Sequence, residues 1–322
     1  MREIIINSNL SGSRLDKTAL KYIGNAPMSF VYKMLRKKNI TLNDKKAAGN
    51  ELLKTGDRIK IYISEDTFEL FKRKTSDGPG SDELKKYIIY EDDEIIAMDK
   101  PAGMLSQKAA ASDISINELL VAYLKKDMLF LPGISNRLDR NTSGIILAGK
   151  NPMASKLLNI AIRERYLTKK YLCLVKGELT LKGSFEAFLV KDNDTNQVSV
   201  SESGAENDRI ITGIKPLAYN GRSTLTEIDL ITGKPHQIRA HLAFLGHPLA
   251  GDTKYGDTEY NDYFRRKYNL KWQLLHAYRI EFDEMTDNLN YLNRKHIEAP
   301  LPDQFDKILK GENLWQHGIP ED

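Results

Sequence analysis

Residues 72 to 82, KRKTSDGPGSD, interrupt the chain sharply, and they decide how many folding units the remainder can form. Gly78, Pro79 and Gly80 break helix and strand alike, and the polar flanks have nothing to bury, so the stretch predicts a flexible connection. With 322 residues there is enough chain for a core on each side of it. The expected division is a small N-terminal unit over 1–65, a linker over 66–86 and a larger unit over 87–322.

Hydrophobic spacing differs across that break. Before it, residues 14 to 23 read as a helix, with Ser13 as N-cap and Leu15, Ala19, Tyr22 and Ile23 on one face. A second helix is predicted after Pro27, capped by Ser29, with Val31, Met34 and Leu35 on one stripe and Lys33, Arg36 and Lys37 on the opposite one. The segment NITLND predicts a short strand ending in a turn, and LLKTGDRIKIYI a Gly-Asp turn feeding another strand. Residues 1–62 hold 13 Lys and Arg against 5 Asp and Glu, a net of +8; because the whole chain carries +4, the remainder carries −4. A basic end of this kind attracts a polyanion, nucleic acid first.

Beyond the break, strands dominate. YIIYEDDEIIAMDK predicts two strands about an acidic turn, and KKYLCLV, SFEAFLV, NQVSVS, RIITGIKPLAY and STLTEIDLI follow as further strands, the last two joined by a hairpin at Gly221. Asn151-Pro152 opens a helix with Met153, Leu157 and Ala161 as its buried stripe. Pro235 and Gly246 bracket another, with Ile238, Leu242 and Leu245 apolar, and His236 and Arg239 sharing a different face. Consecutive strands with helices between groups predict an α+β unit built on a mixed, largely antiparallel sheet.

Several chemistries are disfavoured. GIILAGKN, from Gly144, resembles a phosphate loop but ends in Asn and is apolar in its middle, so no nucleotide cofactor is expected. His236, His241 and His247 fall at different helical angles without a cysteine or acid cluster, so no metal is expected. Cys173, the sole cysteine, sits in an apolar run and reads as a buried thiol. There is no apolar run of spanning length and no secretory pattern at the start, so a cytoplasmic protein without a membrane partner is expected. No pattern speaks to oligomeric state.

What remains is SNRLDRNTSG, residues 135 to 144, which sets Asp139 between Arg137 and Arg140 in a turn of small residues. Neighbouring guanidinium groups favour the charged carboxylate, which makes it a base or nucleophile and not a proton donor. Arg239 is a candidate partner from another part of the fold.

Two sets of motifs carry family resemblances. Arg14-Leu15-Asp16, VYKMLRKKNITLND and Thr55-Gly56-Asp57-Arg58-Ile59 resemble the S4 RNA-binding domain. That likeness implies Arg14, Lys33, Arg36, Lys37 and Lys38 as contacts to RNA phosphates. Lys100-Pro101-Ala102-Gly103, Arg137-Leu138-Asp139 with Thr142-Ser143-Gly144, KKYLCLVKG, His236-Gln237-Ile238-Arg239 and Leu275-His276-Ala277 resemble the RluA-type pseudouridine synthases, from Arg14 to about Asp283. Asn136 stands where that family usually has His, and Lys234-Pro235 where it has Arg-Thr.

The second resemblance implies an isomerase that converts uridine to pseudouridine in structured RNA, large-subunit ribosomal RNA ahead of transfer RNA, with no cofactor. It makes Asp139 the catalytic carboxylate, Tyr171 the tyrosine against the uracil, Arg239 the partner of the carboxylate, and Arg137 the residue that replaces the departed base in its stack. A non-catalytic RNA-binding or ribosome-assembly factor on the same scaffold is the alternative, and a nucleoside hydrolase ranks below both.

Overall fold

The computed structural model describes residues 1–7, 10–71, 82–110, 113–124, 131–191 and 198–314. Its N-terminal elements are β1 (Arg2–Ile5), α1 (Leu15–Ile23), α2 (Met28–Arg36), β2 (Ile40–Leu42), β3 (Lys45–Lys46), β4 (Arg58–Ile61) and α3 (Glu65–Phe71). The strands form an antiparallel sheet in the order β1-β4-β2-β3. Leu15, Ala19 and Ile23 of α1, Val31, Met34 and Leu35 of α2, and Ile40, Ile59 and Ile61 of the sheet share one buried cluster. The opposite side of α2 is wet: Lys33, Arg36, Lys37 and Lys38 are all exposed.

Neither expected serine cap forms. Arg14 occupies the N-cap of α1 without a capping bond, and the Ser13 hydroxyl donates instead to the Leu10 carbonyl. Asp16 organises this end: its buried carboxylate accepts from the Arg14 guanidinium at 2.7 Å, the Tyr32 hydroxyl at 2.8 Å and the Lys17 amide at 2.7 Å. Helix α2 starts at Met28 behind Pro27, which places Ser29 inside its first turn. Helix α3 extends into the segment expected as linker because Phe68 is buried and the Phe71 ring packs 4.8 Å from that of Phe30. Residues 72–81, with the Gly-Pro-Gly, lie outside the described residues.

The larger unit is one sheet with helices on both faces. Its strands are β5 (Ile88–Glu91), β6 (Ile95–Lys100), β7 (Ser143–Gly149), β8 (Leu167–Lys176), β9 (Gly183–Lys191), β10 (Val198–Ser201), β11 (Arg209–Tyr219), β12 (Ser223–Leu230), β13 (Leu275–Phe282) and β14 (His296–Glu298). They run in the order β10-β9-β11-β12-β8-β13-β7-β6-β5, with β14 paired to β13. Among the described strands of this sheet, only β7 and β13 pair in parallel, so the sheet is mixed and largely antiparallel. The helices are α4 (Ile116–Leu124), α5 (Pro152–Glu164), α6 (Gln237–Phe244), α7 (Thr258–Tyr268) and α8 (Asp303–Gly311).

Central strands bury both faces, as the two-residue period of a pleat requires. On β8, Tyr171, Cys173 and Val175 enter the cluster shared with Ile238 and Leu242 of α6, while Leu172 and Leu174 enter the one shared with Phe264 of α7 and Ile308 of α8. Each such side chain contributes about 1.5–3 kcal/mol of burial. Helix α5 starts as expected, with the Asn151 side chain accepting from the Ala154 amide at 2.8 Å. Its buried stripe is Ala154, Leu157, Leu158 and Ala161, one step round from the expected one, and Met153 is exposed.

Candidate active site

The loop before β7 crosses the face of the sheet that holds Tyr171, and Asp139 sits at its crest. Four groups fix that loop. Leu138 is buried, and its carbonyl accepts from the Ser106 hydroxyl at 2.6 Å while its amide donates back to the same oxygen at 3.0 Å. Asn136 ties the loop to β7: its Oδ1 accepts from the Leu147 amide at 2.8 Å and its Nδ2 donates to the Ile145 carbonyl at 3.1 Å. Lys100 lies beneath with no exposed surface and donates to the carbonyls of Pro101, Met104 and Arg140 at 3.0, 2.9 and 3.1 Å. Burial pushes its ammonium down to about 7, against the opposing pull of Asp139 and Asp99. The chain then leaves the loop through Gly144, at φ +115°, where a β-carbon would stand 2.2 Å from the Ala277 carbonyl oxygen.

The cation that meets Asp139 is not one of its sequence neighbours. Arg239, from the first turn of α6, donates from Nη1 to Asp139 Oδ2 at 2.9 Å, while its Nε and Nη2 hold the two oxygens of Asp252 at 2.7 and 2.9 Å. Asp252 is 1% exposed and also accepts from the Lys254 and Tyr255 amides. Burial alone would push both partners toward their neutral forms. Their mutual hydrogen bonds and charge overcome it, so the Asp252 carboxyl sits below its ordinary range and the Arg239 guanidinium above its own. A buried, two-pronged grip of this kind turns a flexible arginine into a fixed donor aimed at Asp139.

Pro235 does not open the helix as expected, and His236 departs from the expectation that it would lie within it on a face shared with Arg239. It lies outside α6 at φ +57°, and that left-handed turn points its Nε2 at Asp139 Oδ2, 3.9 Å away. Its Nδ1 lies 2.9 Å from the Tyr255 hydroxyl, whose oxygen accepts from the Val198 amide at 3.3 Å. When the tyrosine hydroxyl donates to Nδ1, the imidazole hydrogen stands on Nε2, facing the carboxylate. Burial pushes the His236 pKa below its ordinary value, although Asp139 pulls the other way.

Asp139, Arg239 and His236 line a cavity of about 990 Å³ together with Tyr171, Arg137, Arg165 and Lys169. Tyr171 is 5% exposed, and burial followed by the charge of Asp139 raises its phenol pKa, so at neutral pH it is an uncharged ring. Asp139, Tyr171, Arg239 and Arg137 are therefore brought to one cavity. Arg14, Lys33, Arg36, Lys37 and Lys38 belong to the N-terminal unit and do not line it. Arg265, Arg266 and Lys267 lie on α7 outside the lining; Arg265 pairs with Asp262 and Lys267 with Glu312. Asp252, Tyr255 and Lys169 had no role assigned from sequence. The run GDTKYG after the helix was the available signal for the first two.

Residues 94–244, which include Asp139, Tyr171 and Arg239, match the family model described as RNA pseudouridylate synthase. A ribosomal large subunit pseudouridine synthase C of Vibrio vulnificus is 30% identical over 95% of this chain and 94% of its own length. One of Escherichia coli O157:H7 is 29% identical over 95% of each. Among solved structures, the human protein titled RNA pseudouridylate synthase domain containing 4 superposes with a TM-score of 0.59 at 20% identity, covering 72% of this chain and 95% of that one, which is a likeness of fold.

Proposed function

The chain belongs to the RNA pseudouridine synthases, and from that premise we propose that it isomerises uridines of large-subunit ribosomal RNA with Asp139 as its single catalytic carboxylate. The observation that carries this reading is the clamp Asp252–Arg239–Asp139 beside Tyr171 in one cavity. The reaction breaks N1–C1′, turns the uracil and joins C5 to C1′. Product and substrate have the same atoms, so the second acid that a glycosidase needs to activate water has no task here.

Arg239 and His236 both face Oδ2 of Asp139. That division leaves Oδ1 for the substrate, whether it attacks the sugar carbon or removes a ribose proton. Arg239 holds the carboxylate aimed, and the neutral His236 adds a dipole without a competing charge. Tyr171 offers a flat neutral wall for the flipped uracil, in the manner of aromatic groups that receive bases taken out of a stack. Arg137, exposed and lining the cavity, takes the gap in the stack in this reading.

The N-terminal unit supports an RNA substrate. Its helix pair, small antiparallel sheet and exposed Lys33, Arg36, Lys37 and Lys38 fit an S4-like module that tracks phosphates, and Arg14, although paired with Asp16, keeps nearly half its side chain in solvent. Relatives named for the large ribosomal subunit support a reading of that RNA ahead of transfer RNA. None of the described helices is long and apolar enough to cross a membrane, and the proposed ribosomal RNA substrate supports a cytoplasmic reading.

Pseudouridine mapping of ribosomal and transfer RNA from cells lacking the gene tests this reading. The expected result is the loss of one or a few pseudouridines from the large-subunit RNA, restored by the intact gene. An unchanged map in ribosomal RNA with losses in transfer RNA would overturn the substrate. A map unchanged throughout would overturn the activity.

A further inference from the structure

Some basic side chains around the cavity are already paired with acids. Arg163 pairs with Glu164, and Arg209 with Glu186 and Glu206. Among the described residues, Lys169 and Arg165 line the cavity without an ion pair, as do the exposed Arg137 and Lys234, whose Nζ donates to the Asn207 carbonyl. Lys169 is half-buried on β8, and its Nζ hangs over the loop after β12, so close to Gly233 that a β-carbon there would stand 3.8 Å from it. Burial pushes its pKa down; Asp229 on the neighbouring strand pulls it up without pairing, and Arg165 pushes it down again. Arg165 is fixed as the C-cap of α5 in a left-handed turn, φ 64°, from which the chain passes directly into β8. A desolvated ammonium beside an unpaired guanidinium is complemented by an anion.

The strand sets where that anion lies relative to the chemistry. Residues 169 and 171 are two apart on β8 and so share the face that lines the cavity, with Cα atoms roughly 7 Å apart. That is the scale of the reach from a nucleobase to the phosphate of its own nucleotide. We propose that Lys169 and Arg165 form a phosphodiester subsite that seats the backbone phosphate of the nucleotide whose base stands against Tyr171. The subsite rests on the reading of the cavity as a uridine pocket. Extruding a base from its stack costs a few kcal/mol, and a phosphate held at this place offsets part of that cost.

Binding is measured on the full chain carrying Asp139→Asn, which keeps turnover out of the readout, with large-subunit ribosomal RNA from cells lacking the gene as the probe. Adding Lys169→Met or Arg165→Met is expected to raise Kd roughly tenfold at about 0.1 M salt. Each is also expected to flatten the dependence of log Kd on log salt by about 0.7. Lys169→Arg keeps both values near those of the parent. Unchanged Kd and slope in Lys169→Met and Arg165→Met overturn the subsite. Should Lys169→Met unfold, Arg165→Met, altered only at an exposed side chain, decides the matter. The uridine reading fails separately, when the unaltered chain forms no pseudouridine in the same RNA.

Discussion

Arg239 is asked to serve two carboxylates at once, and the division of its five N–H groups explains why the site works with so few parts. The two-pronged contact to Asp252 holds the guanidinium plane, and the remaining Nη1 contact delivers it to Asp139. Removing the buried partner should therefore harm both stability and chemistry. Asp252→Asn is expected to lower unfolding free energy by about 3 kcal/mol, because it leaves a buried guanidinium short of its charge partner. It should also slow the single-turnover rate about a hundredfold through misplacement of Arg239. Denaturant titration and rapid-quench assays check the pair of effects. A variant that loses stability at full rate would show that Arg239 needs no help from Asp252 to find Asp139. The family resemblance implied Asp139, Tyr171 and Arg239 for this site, and only the fold could name Asp252: an isolated acid in GDTKYG looks like any turn aspartate until the arginine 13 positions before it is seen across the helix.

At the scale of elements, the loop over 136–142 is held from below and from behind. Lys100 collects three carbonyls under it, Asn136 laces it to β7, and β7 is pressed against β13 through a backbone approach that only glycine permits. Gly144→Ala is expected to cost more than about 4 kcal/mol, since it adds a clash with the Ala277 carbonyl oxygen to an unfavourable φ of +115°. Loss of soluble protein, or a large drop in Tm, is the expected readout; a variant as stable as the parent would refute the close packing. Elements governed by local rules were legible in the sequence. Asn151-Pro152 starts α5, Gly221 turns β11 into β12, and alternation marks β8 and β12. The failures have non-local causes. Ser13 yields its expected cap because the buried Asp16 organises the start of α1, and His236 adopts φ +57° because Tyr255 and Asp139 lie on either side of it. The parallel pairing of β7 with β13 joins residues more than a hundred positions apart, which no short pattern encodes.

Across the whole molecule, charge is divided between the units. The first 62 residues carry +8 and the rest −4, so non-selective grip on RNA is expected of the N-terminal unit and chemistry of the cavity in the larger one. Replacing Lys33, Arg36 and Lys37 together by Ala removes exposed charge from α2 without touching its buried stripe. That variant should bind RNA more weakly, with a salt slope shallower by about 2, and still turn over saturating RNA at the parent rate. An unaltered Kd would remove the N-terminal face from the account, and a lower saturated rate would show that the two units are not separable in function.

The claim on which the rest stands is that one charged carboxylate performs the isomerisation. Release of tritium from RNA labelled at uracil C5 measures it, because that hydrogen leaves only when the new C5–C1′ bond forms. With Asp139→Asn, whose shape and surroundings differ little, the account predicts no release above background together with RNA affinity within a few-fold of the parent. Release at a rate near that of the parent would contradict it.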